Sequence, residues 1–481
     1  MADRHTYPGR MSRSTPAATG GISRRIRSAL GREAKGLLHA GPPSMHLMAP
    51  VGPEVPGDAW AQQVLDLCMR IGEVLLSSGE SADETTQTML RVATVSGLAT
   101  VDVDITFTSI TMCCHRGMAA APVTSMRLVR YRSLDLTRLQ VVAEIIDAVE
   151  GGRLDVQGAS GALTDAVTAR HPYPRWVATA GWAGLAGSVA LMLGAAAVTA
   201  LAAFLVTGLI DRTGRLLTRR GLPAFFQQVI GGMLATGSTL ALFALGAFPP
   251  GTQPSLVVAA SITVLLSGMS VVGSVQDAIS SYYVTAAGRV VEIALLSAGL
   301  LTGVVFGLKI GLAFGLQLEV AGELPTGIGQ LGISVVAAAV AAAGFALAGY
   351  ARPRSLLAAA LAGAAGWGTY EVLTQFASLG PVAATGAAAI VVGAASGLLR
   401  RGGGVPPLVV TLAGITPLLP GFTAYRGFYQ LAVEGVADGL VTVTVALGIG
   451  LALAAGVAFG DFLTRPHRTP VADPAPDAGP Q

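Results

Sequence analysis

From Trp176 to Leu463 the chain is a nearly unbroken succession of apolar stretches of membrane-crossing length, separated by short gaps that carry arginine. A backbone in hydrocarbon must satisfy its own hydrogen bonds, and with roughly 20 apolar residues per crossing the helix does so. This body is therefore expected to be an α-helical polytopic membrane protein. The spans fall at 176–193, 195–210, 224–247, 255–273, 289–312, 329–350, 355–373, 380–399, 406–424 and 438–463, ten in all. The first pair is one long apolar run that could form two short helices or a single long one. Charge decides. With ten spans and the N-terminus inside, Arg170, Arg175, Arg212, Arg215, Arg219, Arg220, Arg289, Arg352, Arg354, Arg400, Arg401, Arg465 and Arg468 lie on the inner side. Only Lys309 and Arg426 lie outside, in accord with the positive-inside rule. Both termini are then cytoplasmic and the membrane is the cell's inner (plasma) membrane.

The N-terminal third is different. Residues 1–55 form a basic, Pro/Gly-rich arm expected to be disordered, and 465–481 a Pro/Ala/Asp-rich tail of the same kind. Residues 56–172 have the pattern of a small cytoplasmic α+β domain. Helices are expected over Asp58–Ser77 and from a capping box at Ser81/Glu84 to Ser96, then strands over Thr100–Phe107, Ser109–His115 and Thr124–Tyr131, then a helix over Leu136–Val149 and a last helical segment to Arg170. Only 12% of the whole chain is charged, about half the usual soluble share, and the net charge of +3 is scattered, which argues against nucleic acid as a partner. Three cysteines, Cys68, Cys113 and Cys114, give no disulfide framework and read as reduced thiols. There is no apolar signal segment at the start of the sequence. Without a Walker-type loop, ATP-driven transport is not expected, nor is any cofactor. Ser81, Asp83, Glu84 and His115 could be arranged for hydrolysis, but Ser81 is better explained as a helix cap, and Cys-Cys-His has no standard metal spacing.

The membrane body repeats itself. Leu256, Val257, Val258, Ile262, Thr263, Leu265, Leu266 and Gly268 match Leu408, Val409, Val410, Ile415, Thr416, Leu418, Leu419 and Gly421 at an offset of about 153 residues, and Ser270 corresponds to Thr423. The halves, 173–325 and 326–464, hold five spans each. An odd number per half makes the second half enter the membrane from the opposite side, an inverted repeat.

Two stretches carry the polar chemistry. In 267–292, Asp277, Ser281, Thr285, Arg289 and Glu292 share one side of a helix if the stretch is continuous, with Gln276 beside them. Ionisable groups at membrane depth are costly, so Asp277 and Glu292 are candidates to bind an ammonium or carry a coupling proton, and Arg289 could pair with Glu292. The alternative is a connector whose polar face meets water. In 415–427, Pro417 and Pro420 remove two backbone donors and Gly421 follows, which points to a broken helix whose free backbone groups can hold a zwitterion. The candidate substrate-binding or coupling residues are Ser270, Gln276, Asp277, Thr285, Arg289, Glu292, Thr416, Pro417, Pro420, Gly421, Thr423 and Tyr425. No metal ligand is among them.

The stretches SGMSVVGSVQDAISSYYVTAAGRVVE, ITPLLPGFTAYRG and LLSSGESADETTQTMLRVATVSGLATVDV together resemble the bacterial threonine/serine exporter family over roughly residues 60–463. The resemblance implies ten spans in two halves, a cytoplasmic N-terminal domain, and efflux of threonine and serine driven by the proton gradient, hence antiport rather than enzyme chemistry. It carries over Gln276, Asp277, Arg289, Glu292, Pro417, Pro420 and Gly421 as motif positions. Expected partners are threonine or serine, protons and the lipid bilayer, and the chain could form a homo-oligomer. The rival functions are an uncoupled channel or facilitator for small solutes, and a membrane-anchored hydrolase.

Overall fold

The computed structural model describes residues 57–116, 120–129, 134–266, 268–316, 328–399, 405–431 and 436–464. The basic arm, the tail, Arg400, Arg401, Arg465, Arg468 and the boundary between halves at 325/326 lie outside the described residues.

Chain entry is an amphipathic helix, α1 (Asp58–Ser77), whose apolar face is buried. Ser81 caps α2 (Ala82–Val95): its Oγ accepts from the Glu84 amide at 3.3 Å. Three antiparallel strands follow in sequence order, β1 (Val101–Thr106), β2 (Ser109–Cys114) and β3 (Val123–Leu128), with Ile105 opposite Ile110 and Ser109 opposite Leu128. Phe107, expected to continue the first strand, stands in the β1–β2 turn with φ 53°. Two helices complete this α/β layer, α3 (Leu136–Glu150), capped by Asp135, and α4 (Val156–Thr168), capped by Asp155. Cys68 and Cys114 are buried in it and Cys113 half-buried, all three as free thiols.

The helical body then runs through α5 (Arg175–Met192), α6 (Ala197–Arg219), α7 (Ala224–Ala244), α8 (Ser255–Leu265), α9 (Gly268–Ile279), α10 (Tyr283–Ala313), α11 (Ile328–Ala348), α12 (Pro353–Gln375), α13 (Pro381–Leu399), α14 (Pro407–Ile415), α15 (Gly421–Tyr429) and α16 (Val436–Thr464). The 176–210 run is two helices, turned at Gly194 with φ 79°. The expected connector around 274–289 is mostly helical: α9 ends at Ile279, Ser281 turns in the left-handed region (φ 69°), and α10 starts six residues before the expected span. The expected continuous stripe from Asp277 to Glu292 is thereby divided between two helices. The expected span 255–273 is likewise divided, between α8 and α9.

By length and apolar character, seven helical stretches among the described residues can cross a membrane, or eight if the bent pair α8/α9 counts as one: α6, α10, α11, α12, α13, the run Pro407–Tyr429, and α16. Neither α5, which opens on Arg175, nor α7, which carries Gln227 and Gln228, is among them. Count α8/α9 and α14/α15 as one position each, and each half has five positions. The same positions then pack together in both halves. First packs on second (α5/α6, α11/α12), second on third (α6/α7, α12/α13), and second on fourth (α6/α8, α12/α14). Third packs on fifth (α7/α10, α13/α16). The third–fifth pairs are set close by glycines, Gly232 and Gly303 in one and Gly393, Gly456 and Gly460 in the other, where an added Cβ would meet the facing backbone.

A cavity between two interrupted helices

Two helices lose their regular hydrogen bonding in mid-course, each at the fourth position of its half. After α8, Leu266 is extended (φ −68°, ψ 130°) and the chain resumes at an angle of 48°. After α14 come three residues of 3-10 helix, Thr416–Leu418, then Leu419 in the same extended conformation (φ −62°, ψ 137°), then α15. Leu266 and Leu419 are partners in the matching sequence segments. Pro417 and Pro420 sit in the second break, where missing amides favour it. The first break, among its described residues, has no proline. There Gln228 of α7 donates from Nε2 to the Leu265 carbonyl at 3.1 Å, taking up an acceptor that an uninterrupted helix would have used.

The breaks meet. A Cβ on Gly421 would overlap the Thr263 side chain of α8 and stand 3.0 Å from its Cα, so glycine is required where α15 begins. Between them opens a cavity of about 300 Å³. Its polar lining is Thr263, Ser270, Thr416 and Glu292; Leu266, Leu412, Ile415 and Leu419 supply apolar wall from the interrupted helices, and Trp182, Leu185, Leu296 and Phe345 close the sides. Thr263 donates to the Ala259 carbonyl at 3.0 Å and Thr416 to the Leu412 carbonyl at 2.7 Å. A hydroxyl that donates to the backbone keeps acceptor capacity for a ligand. A carboxylate, three hydroxyls and helix ends in an apolar pocket can hold a small zwitterion: Glu292 suits an ammonium, backbone amides a carboxylate.

The other expected residues are elsewhere. Asp277 is fully buried, pairs with Arg289 (3.1 Å) and accepts from the Ala82 amide at 2.7 Å. Arg289 also donates to the Glu80 carbonyl at 3.0 Å. Thr285 accepts from the Phe107 amide and donates to the Ile105 carbonyl, both at 3.0 Å, while the Phe107 ring lies where a side chain on Gly288 would stand. Asp277, Thr285 and Arg289 therefore join the helical body to the α/β layer. Tyr282 adds a bond to Thr86 at 3.0 Å; burial pushes its hydroxyl up, that bond opposes, and Asp83, Asp104 and Asp277 add to the rise. The second half is joined to the same layer: Leu136 donates to the Gly349 carbonyl at 2.8 Å, Thr137 to the Tyr350 carbonyl, and Arg352 pairs with Glu144 at 2.6 Å. Gln276 borders a separate cavity beneath the layer. Thr423 is half-buried and Tyr425 fully buried in α15. Sequence reasoning singles out Gln227 and Gln228 as buried polar residues of the membrane body without giving them a task, and passes over Thr263 and Leu412 as site residues; the repeat, which pairs Thr263 with Thr416, is the available signal for Thr263.

In the α/β layer, Ser81 acts as the helix cap and His115 lies 3.0 Å from Asp102, so neither is drawn into a nucleophilic pair. No His, Cys, Asp and Glu group suited to a metal occurs among the described residues.

Helices interrupted in pairs around a small polar cavity, inside a body of membrane-length helices, make this a membrane transporter. Two family models match the chain: "Putative threonine/serine exporter" over residues 66–311, from α1 to α10, and "Threonine/Serine exporter, ThrE" over residues 334–463, from α11 to α16. The chain is 38% identical over 417 residues to a "Probable threonine/serine exporter" of Mycobacterium tuberculosis, covering 85% of this chain and 78% of that protein. It is 34% identical over 410 residues to a "Threonine/serine exporter" of Corynebacterium glutamicum, covering 85% and 83%. No solved structure matches it. The chain belongs to the threonine/serine exporter family, a family of transporters and not of enzymes.

Proposed function

We propose that this protein exports threonine and serine across the plasma membrane by proton antiport, with the amino acid held in the cavity between the two breaks. The carrying observation is that Glu292 is the ionisable side chain of that cavity among the described residues and shares it with Thr263, Ser270 and Thr416. A cavity of about 300 Å³ is at the small end of ligand pockets, which suits a substrate of this size. The names of the two relatives support the substrate class.

Antiport follows from single occupancy. One carboxylate holds either the substrate ammonium or a proton, so proton arrival from outside releases the amino acid there, and proton loss inside readies the site again. Ten spans with both ends cytoplasmic are part of this reading. Its support is that α10 meets the α/β layer with its N-terminal end, at Thr285 and Arg289. Its positional counterpart α16 borders the cavity beneath that layer with Val457 and Asp461, near its C-terminal end. Counterparts of opposite direction are what an inverted repeat requires.

The test is threonine efflux from proteoliposomes with and without a pH gradient. The wild type should respond to the gradient, and Glu292→Gln should lose more than 10-fold of the driven flux and its gradient dependence. Driven flux that persists in Glu292→Gln would remove Glu292 from coupling. Wild-type flux indifferent to the gradient would make the protein an uncoupled facilitator.

A further inference from the structure

We infer that Leu412 is the partition between the central cavity and a vestibule beneath the α/β layer, and that the transported molecule passes at this side chain. The inference rests on the central cavity being the substrate site. The vestibule has a volume of about 310 Å³ and is walled by the α/β layer and by both halves of the helical body. α14 lines the two cavities in succession: Pro407, Leu408 and Thr411 face the vestibule, Ile415 and Thr416 the central cavity, and Leu412, at 3% exposure, borders both. α9 does the same, with Gln276 in the vestibule and Ser270 in the central cavity. The two interrupted helices thus line both cavities, with Leu412 common to the two linings.

A third cavity, of about 320 Å³ and walled by α6 and α7, also adjoins the central one. The wall shared with it is Trp182, Val264, Leu265 and Leu296. That boundary contains an indole packed edge to face on Phe345 with ring centres 5.7 Å apart, and the third cavity has no lining from the α/β layer. Passage at Leu412 requires rotation of a single side chain between its staggered rotamers. Of the two neighbouring cavities, the vestibule is the one walled by the α/β layer and by both halves of the body, and the boundary that leads to it is Leu412.

The experiment uses the full-length protein in vesicles with the α/β layer facing the medium. A Thr416→Cys reporter is labelled by a membrane-impermeant methanethiosulfonate, and labelling of the peptide carrying residue 416 is read by mass spectrometry. Leu412→Ala should speed labelling at least threefold and Leu412→Trp should slow it at least tenfold, relative to Leu412. Opposite responses exclude a mere folding defect, which would move both variants the same way. Threonine efflux, measured with Thr416 intact, should fall at least tenfold in Leu412→Trp. Labelling that ignores residue 412 and instead rises in Trp182→Ala overturns the inference. Labelling that follows residue 412 while efflux does not upholds the partition and sinks the reading of the central cavity as the substrate site.

Discussion

At Leu266 and at Leu419 the chain leaves the helix in the same extended conformation, yet different forces produce the two departures. The second is written locally, in Pro417, Pro420 and Gly421. The first has a glycine, Gly268, but no proline, and an amide from another helix, Gln228, takes up the Leu265 carbonyl. The arms beyond the two breaks differ too. α9 carries Asp277 into a buried pair with Arg289 and onto the Ala82 amide of the α/β layer, whereas α15 packs against α8, α10 and α16 inside the body. One half holds its broken arm within the helical body; the other joins it to the layer.

The largest test of that contrast exchanges residues between halves. The offset of 153 that pairs Thr263 with Thr416 sets Gln430 opposite Asp277. Asp277→Gln removes the counter-charge of a buried arginine, and should cost about 3–5 kcal/mol, seen as a lowered thermal midpoint of the purified protein and faster proteolysis of the α/β layer. An unchanged midpoint would mean the two arms are equivalent. Gly421→Ala should come next, at about 1–3 kcal/mol from overpacking against Thr263, partly relieved by Thr263→Gly. Gln228→Leu should cost about 1 kcal/mol and loosen the first break only, read as faster amide exchange confined to 262–272.

At neutral pH the smallest effect lies in the α/β layer, remote from either break. Burial pushes the Cys68 thiol up to about 12 from 9.0, against a weaker opposing backbone hydrogen bond. The folded state therefore favours the protonated thiol. Its contribution is complete below pH 9 and is lost as pH rises from about 9 toward 12, while Cys68 stays unreactive to iodoacetamide at neutral pH. Cys68→Ala should flatten that alkaline decline; a decline of equal slope in the variant would remove Cys68 as its cause.

The legibility of the fold in the sequence divides in the same way, between local and distant causes. The cap at Ser81, the three strands and the proline break are local chemistry, and each stands near where the residue pattern puts it. The first break is less legible because it has no proline and only Gly268, the counterpart of Gly421, marks it locally; the amide that takes up its freed carbonyl, Gln228, lies 37 residues away. The polar stripe is legible, but its purpose is not. Periodicity puts Asp277, Thr285, Arg289 and Glu292 on one face, and nothing in spacing tells that Ser281 turns the chain, or that Ala82, Glu80 and Phe107 await three of them and the cavity the fourth.

The bonds between the layer and the body also impose a timetable. Ala82 and Asp277 are 195 residues apart, and Thr137 and Tyr350 are separated by 213. At roughly 5–20 residues per second of synthesis, Ala82 and Thr137 are each made about 10–40 s before the partner that anchors them. During that interval the Ala82 amide and the Phe107 ring have only water or a chaperone for company. Docking is thus a late event in biogenesis, completed first on one half of the membrane body and then on the other.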